Sequence, residues 1–265
     1  MIRLIRAEFR RLLAARLWPV ALVIAVACGG GLIGLLTLVG PENFDPPMPG
    51  IDTETGVRAI LGMVGYTMFI PALLGALAVP AEHRHGTIDF TFLFAPRRWQ
   101  VLLSKLVTYG LAGLVYGLVL TGSGAAAFFL GAATQGVVPG LSTGLILELF
   151  ARLALNMAAY TLIGVGIGAL IRNQTAALAV VGGFFYLLEP LLAIIPGVSR
   201  LYPFLPAGAT ASLTGFSYIV DAAAEGLGTT PVQLMSPLGG GLLLLGYAVV
   251  AAVLAIAVPM RRDIT

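Results

Sequence analysis

Twenty-three consecutive residues, Leu17 to Val39, carry no charge at all. Five more long apolar runs follow, at about 59–79, 106–130, 145–171, 175–195 and 238–258. At 1.5 Å per residue, a 23-residue helix is about 35 Å long, enough to cross a hydrocarbon core about 30 Å thick with some tilt. In lipid such a run must satisfy its own backbone, and a helix does so within one segment. The composition agrees: 58% of residues are hydrophobic and only 10% charged, against about 25% charged in soluble domains. Together these features exclude a soluble globular domain. They predict an all-α integral membrane protein, one membrane domain over residues 1–265 with six transmembrane helices. The single cysteine, Cys28, rules out a disulfide within the chain.

The first sixteen residues hold five arginines. Ile2, Ile5, Phe9, Leu12 and Leu13 fall on one helical face, flanked by Arg3, Arg6 and Arg10. That pattern predicts an amphipathic helix over 1–16, lying in the headgroup plane with arginines toward anionic lipid. The run after it is too long for a signal-peptide core, so it reads as a permanent first span. Residues 196–237 alternate short apolar pieces with Pro203, Pro206 and Pro231. None is long enough to cross, which predicts short re-entrant or interfacial helices before the sixth span. Six spans place both termini on one side. That side collects Arg3, Arg6, Arg10, Arg11, Arg16, Arg84, Arg97, Arg98, Lys105, Arg172, Arg261 and Arg262, against Arg58, Arg152 and Arg200 opposite. The positive-inside rule therefore puts both termini in the cytoplasm of a cell-membrane protein.

Residues 80–105 form the long polar interruption on that same side, and they hold both histidines and the only lysine. Within it, residues 88–94 are apolar, with Phe90, Leu93 and Phe94 at i, i+3, i+4 spacing. Gly86-Thr87 reads as a break and an N-cap, and Pro96 disfavours helical geometry at Ala95. A short helix with unpartnered aromatics between two spans is a docking element.

Little else in the chain suggests chemistry. His83 and His85 are too few for a metal site, and no Gly-x-x-x-x-Gly-Lys-Ser/Thr phosphate-binding loop is present. No catalytic residue, metal or cofactor is therefore expected in this chain, and no nucleic-acid partner. Intramembrane charge is sparse. Glu148 and Arg152 lie one turn apart, with Asn156 a turn further, and read either as a local i, i+4 ion pair or as pathway residues. Glu189, just before Pro190, either lines a polar cavity or sits at the outer interface where the fifth span breaks. The pairs Gly30/Gly34, Gly113/Gly117 and Gly164/Gly168 match small-xxx-small spacing, read as packing within the chain or between two copies.

Glu82-His-Arg-His-Gly-Thr, the Ala-Pro-Arg-Arg that follows, and Lys105 together resemble the permease subunits of type 2 ABC exporters. The likeness runs along nearly the whole chain: a basic amphipathic N-terminal helix, six spans, short re-entrant helices before the last, and Arg262-Asp263 near the end. The resemblance implies that the segment is a coupling helix seated in a groove of a separate ATPase. Glu82, Gly86, Thr87, Phe90, Phe94, Arg97 and Arg98 would then be its coupling residues, and Glu189, Arg152 and Asn156 its candidate pathway residues. It also implies two ATPase subunits holding ATP and magnesium, a second permease as homo- or heterodimer partner, and surrounding lipid. Sparse intramembrane charge independently leaves little means of ion coupling, so the driving energy is expected from outside. The alternatives are an ion-coupled secondary transporter built on Glu189 and Arg152, a non-transporting membrane scaffold or assembly factor, and a membrane-embedded enzyme around His83 and His85.

Overall fold

The computed structural model describes residues 1–43, 47–84, 98–171, 173–195, 198–216, 221, 226 and 232–257. The described residues are helical, with no strand among them. The elements are α1 (Ile2–Ala14), α2 (Leu17–Val39), α3 (Glu54–Ala76), α4 (Pro80–Arg84), α5 (Arg98–Gln135), α6 (Thr143–Leu170), α7 (Gln174–Ala193), α8 (Pro206–Thr214) and α9 (Pro237–Ala257). Six of them, α2, α3, α5, α6, α7 and α9, are long and apolar enough to span a membrane. Large apolar side chains on these helices stay uncovered, among them Val23, Leu118, Leu155, Leu187, Leu242 and Leu245. Such a surface suits lipid as its solvent. The chain has the character of a multi-pass membrane protein.

Local chemistry sets the helix starts. The Thr53 hydroxyl accepts the Gly56 N–H at 3.0 Å, and the Asn173 side-chain oxygen accepts the Ala176 N–H at 3.0 Å. Each cap satisfies one of the orphan donors at a helix N-terminus. Within α3, Pro71 cannot donate to the Thr67 carbonyl, and the turn before it, Val64–Thr67, tightens to 3-10 geometry. The third span begins further upstream than the apolar run suggests. It starts at Arg98 rather than near Leu106, because no helix breaker intervenes after Pro96 and the amphipathic opening turns remain helical. Lys105 therefore sits inside that helix.

The bundle is built around α6, which packs against α5, α3 and α9. Its apolar stretch is 67% buried, the highest share among the six spans. Glycine permits that central position. A Cβ on Gly164 would stand 2.0 Å from the Ala72 carbonyl oxygen, and one on Gly168 would stand 2.3 Å from that of Ala76. Gly75 on α3 meets the Thr161 carbonyl oxygen of α6 at 2.1 Å by the same construction, and Gly117 on α5 meets that of Ala154 at 2.6 Å. Gly113 faces Thr161, while Gly30 and Gly34 face Ser123 and Ala127 of α5. All three glycine pairs thus serve packing between helices of one chain.

Candidate functional sites at the two ends of the bundle

On the side of the bundle that carries α1, four charges from three elements converge. Lys105 Nζ lies 2.9 Å from Glu8 Oε2 of α1 and 2.5 Å from Glu82 Oε1 of α4. Arg11, one turn beyond Glu8 on α1, pairs with Glu82 and approaches Glu8 Oε1 at 3.3 Å. The Lys105, Glu8 and Glu82 side chains are 3%, 7% and 6% exposed, while Arg11 is 49% exposed. Among the described residues two carboxylates face one ammonium and one guanidinium, so opposite charges are paired where they are buried, which is the condition under which charges tolerate burial. Mechanically, the cluster ties α1 to α4 and α5, the two helices that flank residues 85–97. Gly86, Thr87, Phe90, Phe94 and Arg97, with His85, lie outside the described residues. Arg98 opens α5 and His83 lies in α4, and only their backbones are described.

Glu8 carries no signal in the resemblance. It could still have been found, since it is the one acid in an otherwise basic amphipathic stretch. A lone acid on a basic helix, at i, i+3 from Arg11, marks a candidate ion-pair residue.

At the opposite end of the bundle, the nine-residue helix α8 is held at both termini by side chains from other elements. Pro206 occupies its first turn, and Glu189 of α7 accepts the Ala207 N–H. At the other end, Arg58 Nη1 donates to the Thr214 carbonyl at 3.2 Å and Arg152 Nη1 to the Leu213 carbonyl at 3.1 Å. The Glu189 carboxyl oxygen at the N-terminus and two guanidinium groups at the C-terminus satisfy orphan backbone groups of the helix, and the guanidinium charges complement its dipole. Gly215 follows in left-handed geometry at φ 70°, and the Phe216 N–H returns to the Ala211 carbonyl at 3.0 Å. That is a glycine stop of the kind short helices use. Each arginine is also anchored on its own helix, Arg58 by Glu54 at 2.9 Å and Arg152 by Glu148.

Asn156, one turn after Arg152, donates to Thr210 Oγ1 of α8 at 2.8 Å and to the Met68 sulfur at 2.8 Å. The Tyr160 hydroxyl lies 3.3 Å from the same Thr210 oxygen. Glu189, Arg152 and Asn156, separated in sequence, are therefore brought together around one short helix. Arg58, Thr210 and Tyr160 complete the arrangement. Sequence reasoning missed them because nothing local marks a residue whose partner is a distant helix end. Beside α8, a cavity of about 270 Å³ is lined by aromatic and small side chains together with Glu189. Outside the spans, burial pushes the Tyr202 phenol on its wall above the ordinary tyrosine range, reinforced by Tyr66, Glu189 and Asp221 nearby, so it stays neutral at physiological pH. Among the described residues no group of three His, Cys, Asp or Glu side chains is placed to hold a metal ion.

Compared with protein-family models and with curated proteins, the chain matches none.

Proposed function

We propose that this chain is the membrane permease subunit of an ATP-driven exporter of the type 2 ABC kind. It works as one of a pair and is driven by two separate ATPase subunits that hold ATP and magnesium. The observation that carries the reading is the buried cluster of Glu8, Glu82, Lys105 and Arg11. A segment that receives a push from a partner needs its flanks fixed to the spans it moves. Here α4 and the start of α5 are locked to each other and to α1 through charges that are costly to separate. Force applied to residues 85–97 would then travel as a rigid-body shift of α3, α5 and α1 together. The apolar, aromatic residues 88–94 supply the docking surface, with Gly86 and Thr87 at its entry and Arg97 and Arg98 at its exit. The arginine bias places this end in the cytoplasm, with α1 in the headgroup plane and α8 as a re-entrant helix on the outer side.

The reading is tested by purifying the wild-type chain from its native membrane in mild detergent, with and without a non-hydrolysable ATP analogue. It predicts co-purification of a subunit with a Walker-type phosphate loop in near one-to-one ratio. Recovery of the chain with no nucleotide-binding partner under either condition would overturn it.

A further inference from the structure

The cavity beside α8 has a chemistry of its own. Glu189 lines it, is 0% exposed, and uses one carboxylate oxygen to accept the Ala207 N–H. The other oxygen, Oε2, has no hydrogen-bond partner among the described residues. A buried carboxylate with an unmet oxygen calls for a positive partner or a donor. Among the described residues no basic side chain lines the cavity: Arg58 and Arg152 reach the Thr214 and Leu213 carbonyls at the C-terminal end of α8 and pair with their own glutamates. Three ring pairs line the same cavity, Tyr160/Phe185 with centroids 5.1 Å apart, Phe69/Tyr186 at 5.3 Å and, toward the C-terminal end of α8, Tyr66/Phe216 at 6.3 Å.

We propose that this cavity is a binding site for a compact organic cation, an ammonium group carrying apolar or aromatic substituents. Aromatic faces attract such a cation through their quadrupoles, most strongly when it is desolvated, and Glu189, giving up any proton to solvent as the cation enters, supplies the counter-charge through Oε2. A hard metal ion is disfavoured, since calcium or magnesium takes about six or more oxygen ligands and this wall offers one free carboxylate oxygen amid rings. An anion would meet a carboxylate and, among the described residues, no cation. The volume, about 270 Å³, lies just under the ~300 Å³ lower end of small-molecule pockets, which limits the ligand to a small one. As a statement about the exported substrate, this rests on the exporter reading; as a binding site, it stands without it.

The test is calorimetric titration of the purified permease alone, in detergent, with benzyltrimethylammonium chloride, using benzenesulfonate as the anionic control. Wild type should bind the cation and not the anion. Glu189→Gln keeps an oxygen for the Ala207 N–H and should weaken cation binding by about ten-fold or more. Tyr186→Ala, at an exposed position, should weaken it several-fold, with monodispersity on size exclusion verifying that both variants are folded. Equal affinity of wild type and Glu189→Gln, comparable binding of benzenesulfonate, or no binding of the cation to folded wild type would each overturn the proposal. Because no ATPase is present in the cell, those failures leave the exporter reading untouched, and loss of ATPase co-purification leaves the cavity's binding untouched.

Discussion

Replacing Lys105 with methionine removes a buried cation from the cluster while keeping most of the side chain's volume. Lys105 contacts Glu8 and Glu82 at 2.9 and 2.5 Å, and all three side chains are less than a tenth exposed. Without it, the described partners of two buried carboxylates reduce to one guanidinium that is half in solvent. Breaking a buried pair by deleting one partner costs about 3–5 kcal/mol, because the orphaned charge stays desolvated. Arg11 offsets part of this, so a loss near the lower bound, about 3 kcal/mol, is expected. For chains of this size each kcal/mol moves Tm by about 2–4 °C, giving a fall of about 6–12 °C. The assay is thermal unfolding of the purified protein in detergent. Adding Glu8→Gln to Lys105→Met restores the charge balance between Arg11 and Glu82 and should recover about 1–2 kcal/mol. A double variant whose Tm loss equals or exceeds the sum of the single losses would refute the view that the four charges act as one unit.

Gly164→Val should prevent α3 and α6 from meeting at Ala72 and abolish monodisperse protein on size exclusion, whereas Gly246→Val, with open space around it, should be recovered normally. Equal recovery of both would show that the close contact is dispensable. Arg58→Gln and Arg152→Gln should each lower stability by about 0.5–2 kcal/mol through the C-terminal carbonyls of α8. Glu54→Gln and Glu148→Gln, which remove only the exposed partners, should cost less in the same melting assay; the reverse order would contradict the clamp. In a Cys28→Ala background, cysteines at Asp52 and Ser217 should react with an impermeant thiol reagent on whole cells and one at Gln100 should not. Labelling at Gln100 alone would reverse the orientation.

The six spans were legible because their signal is local: each is a run of apolar residues with no alternative way to satisfy its backbone in lipid. Their edges were less so, as α5 shows. Its first turns carry Arg98, Trp99 and Lys105, and a hydropathy reading stops where charge begins although the helix does not. The charge cluster was half visible, with Glu82 and Lys105 inside the polar stretch. Glu8 lies 97 residues from Lys105, and no periodicity links them. The clamp on α8 was hidden for the same reason. Glu189, Arg152 and Asn156 stood out singly as polar residues in apolar runs, but the helix end that unites them is defined by backbone groups, which every sequence contains.

The central claim is that residues 88–94 seat on an ATPase and that their aromatic side chains supply the buried contact. It is tested most directly by affinity purification of Phe90→Ala/Phe94→Ala from detergent, with partner ATPase quantified per permease. Truncating a buried aromatic at an interface costs about 2 kcal/mol or more, tens-fold in affinity. The account predicts a folded, membrane-inserted variant that has lost its ATPase, with Glu82→Ala reducing nucleotide-linked activity more than association. Undiminished ATPase recovery with the double aromatic variant would contradict it.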